Sequence, residues 1–141
     1  MHVTAIYAAQ KTGKKVRVQL MLSSARAGFP SPADDHVERE LDLNDYLIGD
    51  KAATFIVRAK GDSMIGAGIH DGDLLIVDRS VEATDGRVVI AVVEGSFTVK
   101  RLRKKAGQCW LEASNAKFTP LAITDEDAVI WGVVTNAIHP L

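Results

Sequence analysis

From residue 53 onward the chain is cut into short apolar runs by glycine and aspartate, and this punctuation limits its possible folds more than any other feature. The runs at 53–60, 73–78, 87–93, 96–102, 108–112 and 129–138 are rich in Val, Ile, Leu and Phe, the pattern of strands separated by turns. Glu94-Gly95 between two of them predicts a hairpin. Ahead of the runs, Asp42 precedes Leu43-Asn44-Asp45-Tyr46-Leu47-Ile48 and Gly49 follows, so an N-cap and a C-terminal glycine bracket one short helix. The expected fold is mostly β: an antiparallel domain, closed or coiled, with little helix.

Length sets the second bound. The 141 residues suffice for one compact domain plus an arm. The first 22 residues carry Lys11, Lys14, Lys15 and Arg17 and no acid, with strand-prone pieces at 3–8 and 16–22 rather than the makings of a folded unit. Residues 23–32, Ser-Ser-Ala-Arg-Ala-Gly-Phe-Pro-Ser-Pro, are small or helix-breaking and predict an extended, protease-accessible linker. Ala25-Arg26-Ala27 has the form of a signal-peptide cleavage site, but no apolar stretch of adequate length precedes it. No run approaches the roughly 18 apolar residues of a membrane helix, so a cytoplasmic protein is expected.

Charge and cysteine content narrow the function. Seventeen basic against eighteen acidic side chains give a formal charge of −1, without the basic surplus of a phosphate-gripping protein. One cysteine, Cys109, forms no internal disulfide, and His2, His36, His70 and His139 show no metal-ligand spacing, so no cofactor or metal is expected. Cys109, Trp110 and Trp131 are expected to pack in the core. The basic run Lys100-Arg101-Leu102-Arg103-Lys104-Lys105 suits a solvated hairpin end better than a contact with DNA or an acidic partner.

Two segments carry chemistry. In Lys60-Gly61-Asp62-Ser63-Met64-Ile65-Gly66-Ala67-Gly68-Ile69-His70-Asp71-Gly72-Asp73, glycines surround one serine. Such a path can present a hydroxyl beside free backbone N–H groups, and it can equally be a plain turn. It is neither a dinucleotide fingerprint, since Asp71 stands where a third glycine belongs, nor a calcium loop, since apolar residues 74–77 follow Asp73 at once. In Phe97-Thr98-Val99-Lys100-Arg101-Leu102, strand alternation puts Thr98, Lys100 and Leu102 on one face. If that face is packed, desolvation lowers the Lys100 pKa and makes it a usable base. A lysine snorkelling from a strand is the other reading.

Taken together, Gly61-Asp62-Ser63-Met64, Asp71-Gly72-Asp73-Leu74-Leu75-Ile76-Val77-Asp78 and Phe97-Thr98-Val99-Lys100 resemble the LexA/UmuD family of self-cleaving serine-lysine peptidases, with serine and lysine 37 positions apart. The likeness runs from about Gly28 to the C-terminus, including Gly28-Phe29-Pro30-Ser31-Pro32-Ala33 and Trp131-Gly132-Val133-Val134. Within the family it is nearest the accessory subunits of the error-prone SOS polymerase V.

The resemblance implies a coiled β-domain of the LexA/signal-peptidase-like type, with Ser63 as nucleophile and Lys100 as general base. It places the scissile bond between Ala27 and Gly28, dividing an arm, 1–27, from a peptidase-like domain, 28–141. Repressors of the family cut at Ala-Gly, whereas the familiar accessory subunit cuts at Cys-Gly; Ala27 departs from that nearer relative in a way that bears on rate while staying within the family's chemistry. The implied biology is a homodimer, cleavage stimulated by a RecA filament on single-stranded DNA, and a processed form that joins a Y-family polymerase for translesion synthesis, with no membrane and no direct DNA binding required. The alternatives are a non-catalytic β-fold interaction subunit and a LexA-like repressor fragment, although 27 residues are too few for a helix-turn-helix domain.

Overall fold

A computed structural model describes residues 1–9, 15, 17–21, 37–115, 120–123 and 128–141. The chain divides into two compact units, Met1–Gln10 with Asp50–Leu141, and Lys11–Gly49. The smaller unit pairs β2 (Arg17–Met21) with β3 (Val37–Asp42), antiparallel, from Arg17 opposite Asp42 to Met21 opposite Val37. The helix follows where expected as α1 (Leu43–Leu47), with Asp42 accepting a hydrogen bond from the Asn44 N–H at 3.0 Å. It stops at Ile48 in an extended conformation, its N–H bonded to the Asn44 carbonyl, and not on a left-handed Gly49.

The larger unit is a mostly β structure built on one sheet. Its strands are β1 (His2–Ala8), β4 (Thr54–Lys60), β5 (Leu74–Asp78), β6 (Val88–Val93), β7 (Ser96–Lys105), β8 (Gln108–Glu112), β9 (Leu121–Ala122) and β10 (Ala128–Ile138). They are ordered β1-β4-β5-β10-β6-β7-β8-β9, and a further pairing of β1 with β7, His2 opposite Thr98, closes the first six into a barrel-like ring. The mostly β fold expected from the punctuation is what forms.

Two adjacent hairpins are set by two-residue turns. Glu94-Gly95 and Ala106-Gly107 all have positive φ, which matches the right-handed twist of the flanking strands. Strand β6 buries both faces: Ile90 belongs to a core with Met1, Val57, Leu75, Val77 and Val99, while Val89 and Ala91 pack with Leu102, Leu111 and Val133. That explains its unbroken apolar run, which alternation alone does not predict.

The arm expected over 1–27 is not of one kind. Its first strand lies in the main sheet, paired with β4 from His2 opposite Lys60 to Ala8 opposite Phe55, and Met1 is a core residue. The expected linker, 23–32, and the 27/28 boundary lie outside the described residues. The basic run forms the second half of β7 and ends at Lys105, beside the Ala106-Gly107 turn, with Lys104 and Lys105 exposed as a hairpin end suggests. Arg101 donates to the Gly86 carbonyl, and Arg103 binds Glu112 at 2.6 Å and holds its carboxyl below the usual range. Cys109, Trp110 and Trp131 are half-buried and not fully in the core. Trp131 packs against Phe55 and Phe97 under the Arg79 guanidinium.

Candidate active site

Ser63 sits in the turn that leaves β4. The chain exits through Gly61 at φ 112°, a conformation that other side chains rarely adopt, and the Gly61 N–H donates to Asp71 Oδ1 at 2.8 Å. The next turn carries a short 3-10 helix, Ile65–Ala67, and ends on a left-handed Gly68. Gly66 donates its N–H to the Ser114 carbonyl at 2.7 Å, and a Cβ there would come within 2.5 Å of that oxygen. Only glycine lets the two backbones meet so closely. Met64, fully buried, anchors the turn, and Ser63 itself is 1% exposed.

The Asp71 and Asp73 carboxylates belong to the turn, as their position before an apolar strand suggested. Asp71 holds Gly61, and Asp73 accepts the His70 N–H at 2.8 Å. The backbone amides of 65–69 are likewise engaged within the turn or with Ser114.

Lys100 lies on β7 opposite Val89 of β6, flanked on its own face by Thr98, half-buried, and Leu102, buried. It is half-buried, and that desolvation lowers its pKa from the ordinary lysine value. This strand face is therefore partly packed, with Leu102 buried and Thr98 and Lys100 half-buried.

A third group, absent from the sequence reading, joins these two. The Met1 α-ammonium donates to Ser63 Oγ at 2.6 Å. Its pKa is lowered first by burial and next by the positive charge of Lys100, with Asp62 acting in the opposite sense. Met1 is held in place by its carbonyl, which accepts from the Val99 N–H at 3.1 Å and from Thr98 Oγ1 at 2.8 Å, and by its side chain in the core. The Met1 amine thus bonds the serine hydroxyl and lies within electrostatic reach of Lys100. No motif announces the Met1 amine, because only the pairing of β1 brings it there. Ala27 and Gly28 lie outside the described residues.

The sequence also offered no metal-ligand spacing, and here the structure departs from it. His70, Asp73 and His139 come together at the far end of the glycine-rich segment.

Among the described residues no helix is long and apolar enough to cross a membrane. The Peptidase S24-like family matches residues 19–135. The chain is 47% identical over 121 residues to protein ImpA of Escherichia coli, covering 85% of this chain and 82% of that protein. It is 50% identical over 113 residues to protein SamA of Salmonella typhimurium, covering 80% and 79%, and 41% identical over 128 residues to protein MucA of Escherichia coli, covering 88% and 87%. The family resemblance carried by the Ser63 and Lys100 segments is borne out, and the chain belongs to the Peptidase S24-like family.

Proposed function

We propose that this chain is a self-processing accessory protein of the SOS response, which cuts itself between Ala27 and Gly28 by a Ser63/Lys100 dyad. The observation that supports the reading is a buried serine hydroxyl bonded to an amine that feels the charge of Lys100, a lysine whose charged form is itself disfavoured by burial. A neutral Lys100 accepts the Ser63 proton as Oγ attacks the Ala27 carbonyl carbon. The resulting lysine ammonium then protonates the Gly28 nitrogen as the peptide bond breaks, leaving an ester between Ser63 and Ala27 that water hydrolyses. Backbone amides beside Ser63 are the natural donors for the oxyanion. Ala27 and Gly28 add little bulk at the reacting carbonyl.

In the arrangement described, the Met1 ammonium holds the Ser63 hydroxyl, so Met1 must withdraw before a peptide carbonyl reaches it. A requirement for that withdrawal fits a protein held inactive until stimulated. The stimulus in this reading is a RecA filament on single-stranded DNA, and the processed form, a cytoplasmic homodimer, joins a Y-family polymerase for translesion synthesis.

The test is the intact mass of purified wild-type, Ser63→Ala and Lys100→Ala proteins, each with and without RecA filament and at alkaline pH. Wild type yields a species beginning at Gly28, and both variants stay whole with unchanged circular dichroism. A Ser63→Ala chain that still loses residues 1–27 overturns the assignment. A wild-type chain that stays whole in every condition favours the non-catalytic interaction subunit.

A further inference from the structure

We propose that His70, Asp73 and His139 form a binding site for one divalent transition-metal ion of the zinc class. The three residues converge for a reason written in the strand register. Strand β10 runs antiparallel to β5 with Ile138 opposite Leu74, so the next residue on one side, His139, faces the preceding residue on the other, Asp73. His70 is brought to the same point by the tight turn before β5. There its N–H donates to Asp73 Oδ2 at 2.8 Å, and the Asp73 N–H returns to the His70 carbonyl at 3.1 Å.

The geometry is that of a ligand set. His139 Nδ1 lies 3.1 Å from Asp73 Oδ2, the two Nδ1 atoms lie 3.5 Å apart, and His70 Nδ1 lies 3.9 Å from Asp73 Oδ2. Ligand atoms each about 2.1 Å from a common tetrahedral ion stand about 3.4 Å from one another. The triangle therefore brackets the spacing that one ion requires, with little side-chain movement. The rings meet edge to face, their planes 79° apart and their centroids 4.4 Å apart, so the two imidazoles sit side by side without clashing.

Donor chemistry selects the ion. Two imidazole nitrogens and one carboxylate oxygen suit zinc, cobalt or nickel, whereas calcium and magnesium prefer all-oxygen shells. Asp73 is 2% exposed, so the site has a fixed anionic floor, while His70 is exposed and His139 half-buried, which gives the ion a way in. The cluster opens on a cleft of about 500 Å3 that also includes Arg58 and Asp71. Arg58 is turned onto the Gly72 carbonyl at 3.0 Å and Asp71 onto the Gly61 N–H, so the coordinating triangle is left to the other three. Three protein ligands leave a fourth position for water. An ion there would fasten the end of β10 to the turn that closes the Ser63 segment. The site is independent of whether the chain cuts itself.

The experiment uses full-length protein freed of metal by a chelator and then dialysed. Titration with cobalt chloride, followed by visible absorption, and with zinc chloride, followed by calorimetry, reads stoichiometry and affinity. One ion per chain with a micromolar dissociation constant is expected. His70→Gln and His139→Gln should each weaken binding at least tenfold and the double variant should abolish it, whereas His2→Gln and Cys109→Ser should leave it unchanged. Zinc should also raise the melting temperature of wild type and not of the double variant. Asp73→Asn is avoided as the decisive variant because its carboxylate also caps the turn. Absence of saturable binding at millimolar zinc, or full binding by a folded double histidine variant, overturns the proposal.

Discussion

A lysine whose charge is disfavoured by burial is a base only when it has lost its proton, and in the proposed reaction the direction of the Lys100 shift sets how self-cleavage would respond to pH. With its pKa below the ordinary lysine value of about 10.4, the neutral fraction rises about tenfold per pH unit until that lowered pKa is passed. The cleavage rate of wild type, followed by gel densitometry at fixed ionic strength, should climb on this slope and level off below pH 10.4. Lys100→Arg should stay whole at every pH, because a guanidinium does not deprotonate in this range. Stability moves the same way. The unfolded chain holds the Lys100 proton in the window between the lowered and ordinary pKa, and the folded one does not, so stability rises with pH there. The family was legible in the sequence because the Ser63 and Lys100 segments are distinctive. The Met1 amine was not, since its place depends on a strand that pairs with residues 47 to 58 positions away.

At the scale of elements, turn chemistry decided what could be read. The Glu94-Gly95 hairpin was visible because both strands around it are apolar and glycine supplies a left-handed residue. The next hairpin turns on Ala106-Gly107, and the charged residues ahead of it hid that β7 continues to Lys105. Strand β3 was missed for the same reason: Val-Glu-Arg-Glu-Leu-Asp has too few apolar residues to look like a strand, and it forms by pairing with β2. Ala106 adopts φ 51°, which costs a residue with a Cβ about 1 kcal/mol. Ala106→Asn, a residue that tolerates this region, should therefore stabilise the protein by about 0.5–1 kcal/mol. Urea denaturation should show a higher midpoint with an unchanged slope.

For the whole molecule, the sequence suggested an arm and a domain, whereas the structure weaves the beginning of the arm into the domain's own sheet. The basic residues Lys11, Lys14, Lys15, Arg17 and Arg26 have no acidic counterpart over 1–27, so loss of that segment takes the formal charge from −1 to −6. Cutting the backbone at 27/28 does not by itself break the β1 ladder. Freshly cut protein should therefore keep both pieces together in native mass spectrometry and on anion exchange. Separation, in mild urea, should coincide with a shift to later elution.

Departure of β1 would leave more than a shorter chain. Strands β4 and β7 would lose their shared neighbour, the Met1 side chain would vacate the core, and Ser63 would lose its ammonium partner. The processed molecule would carry an open seam in its ring, lined by unpaired backbone donors and acceptors, where another extended segment could be added as a strand.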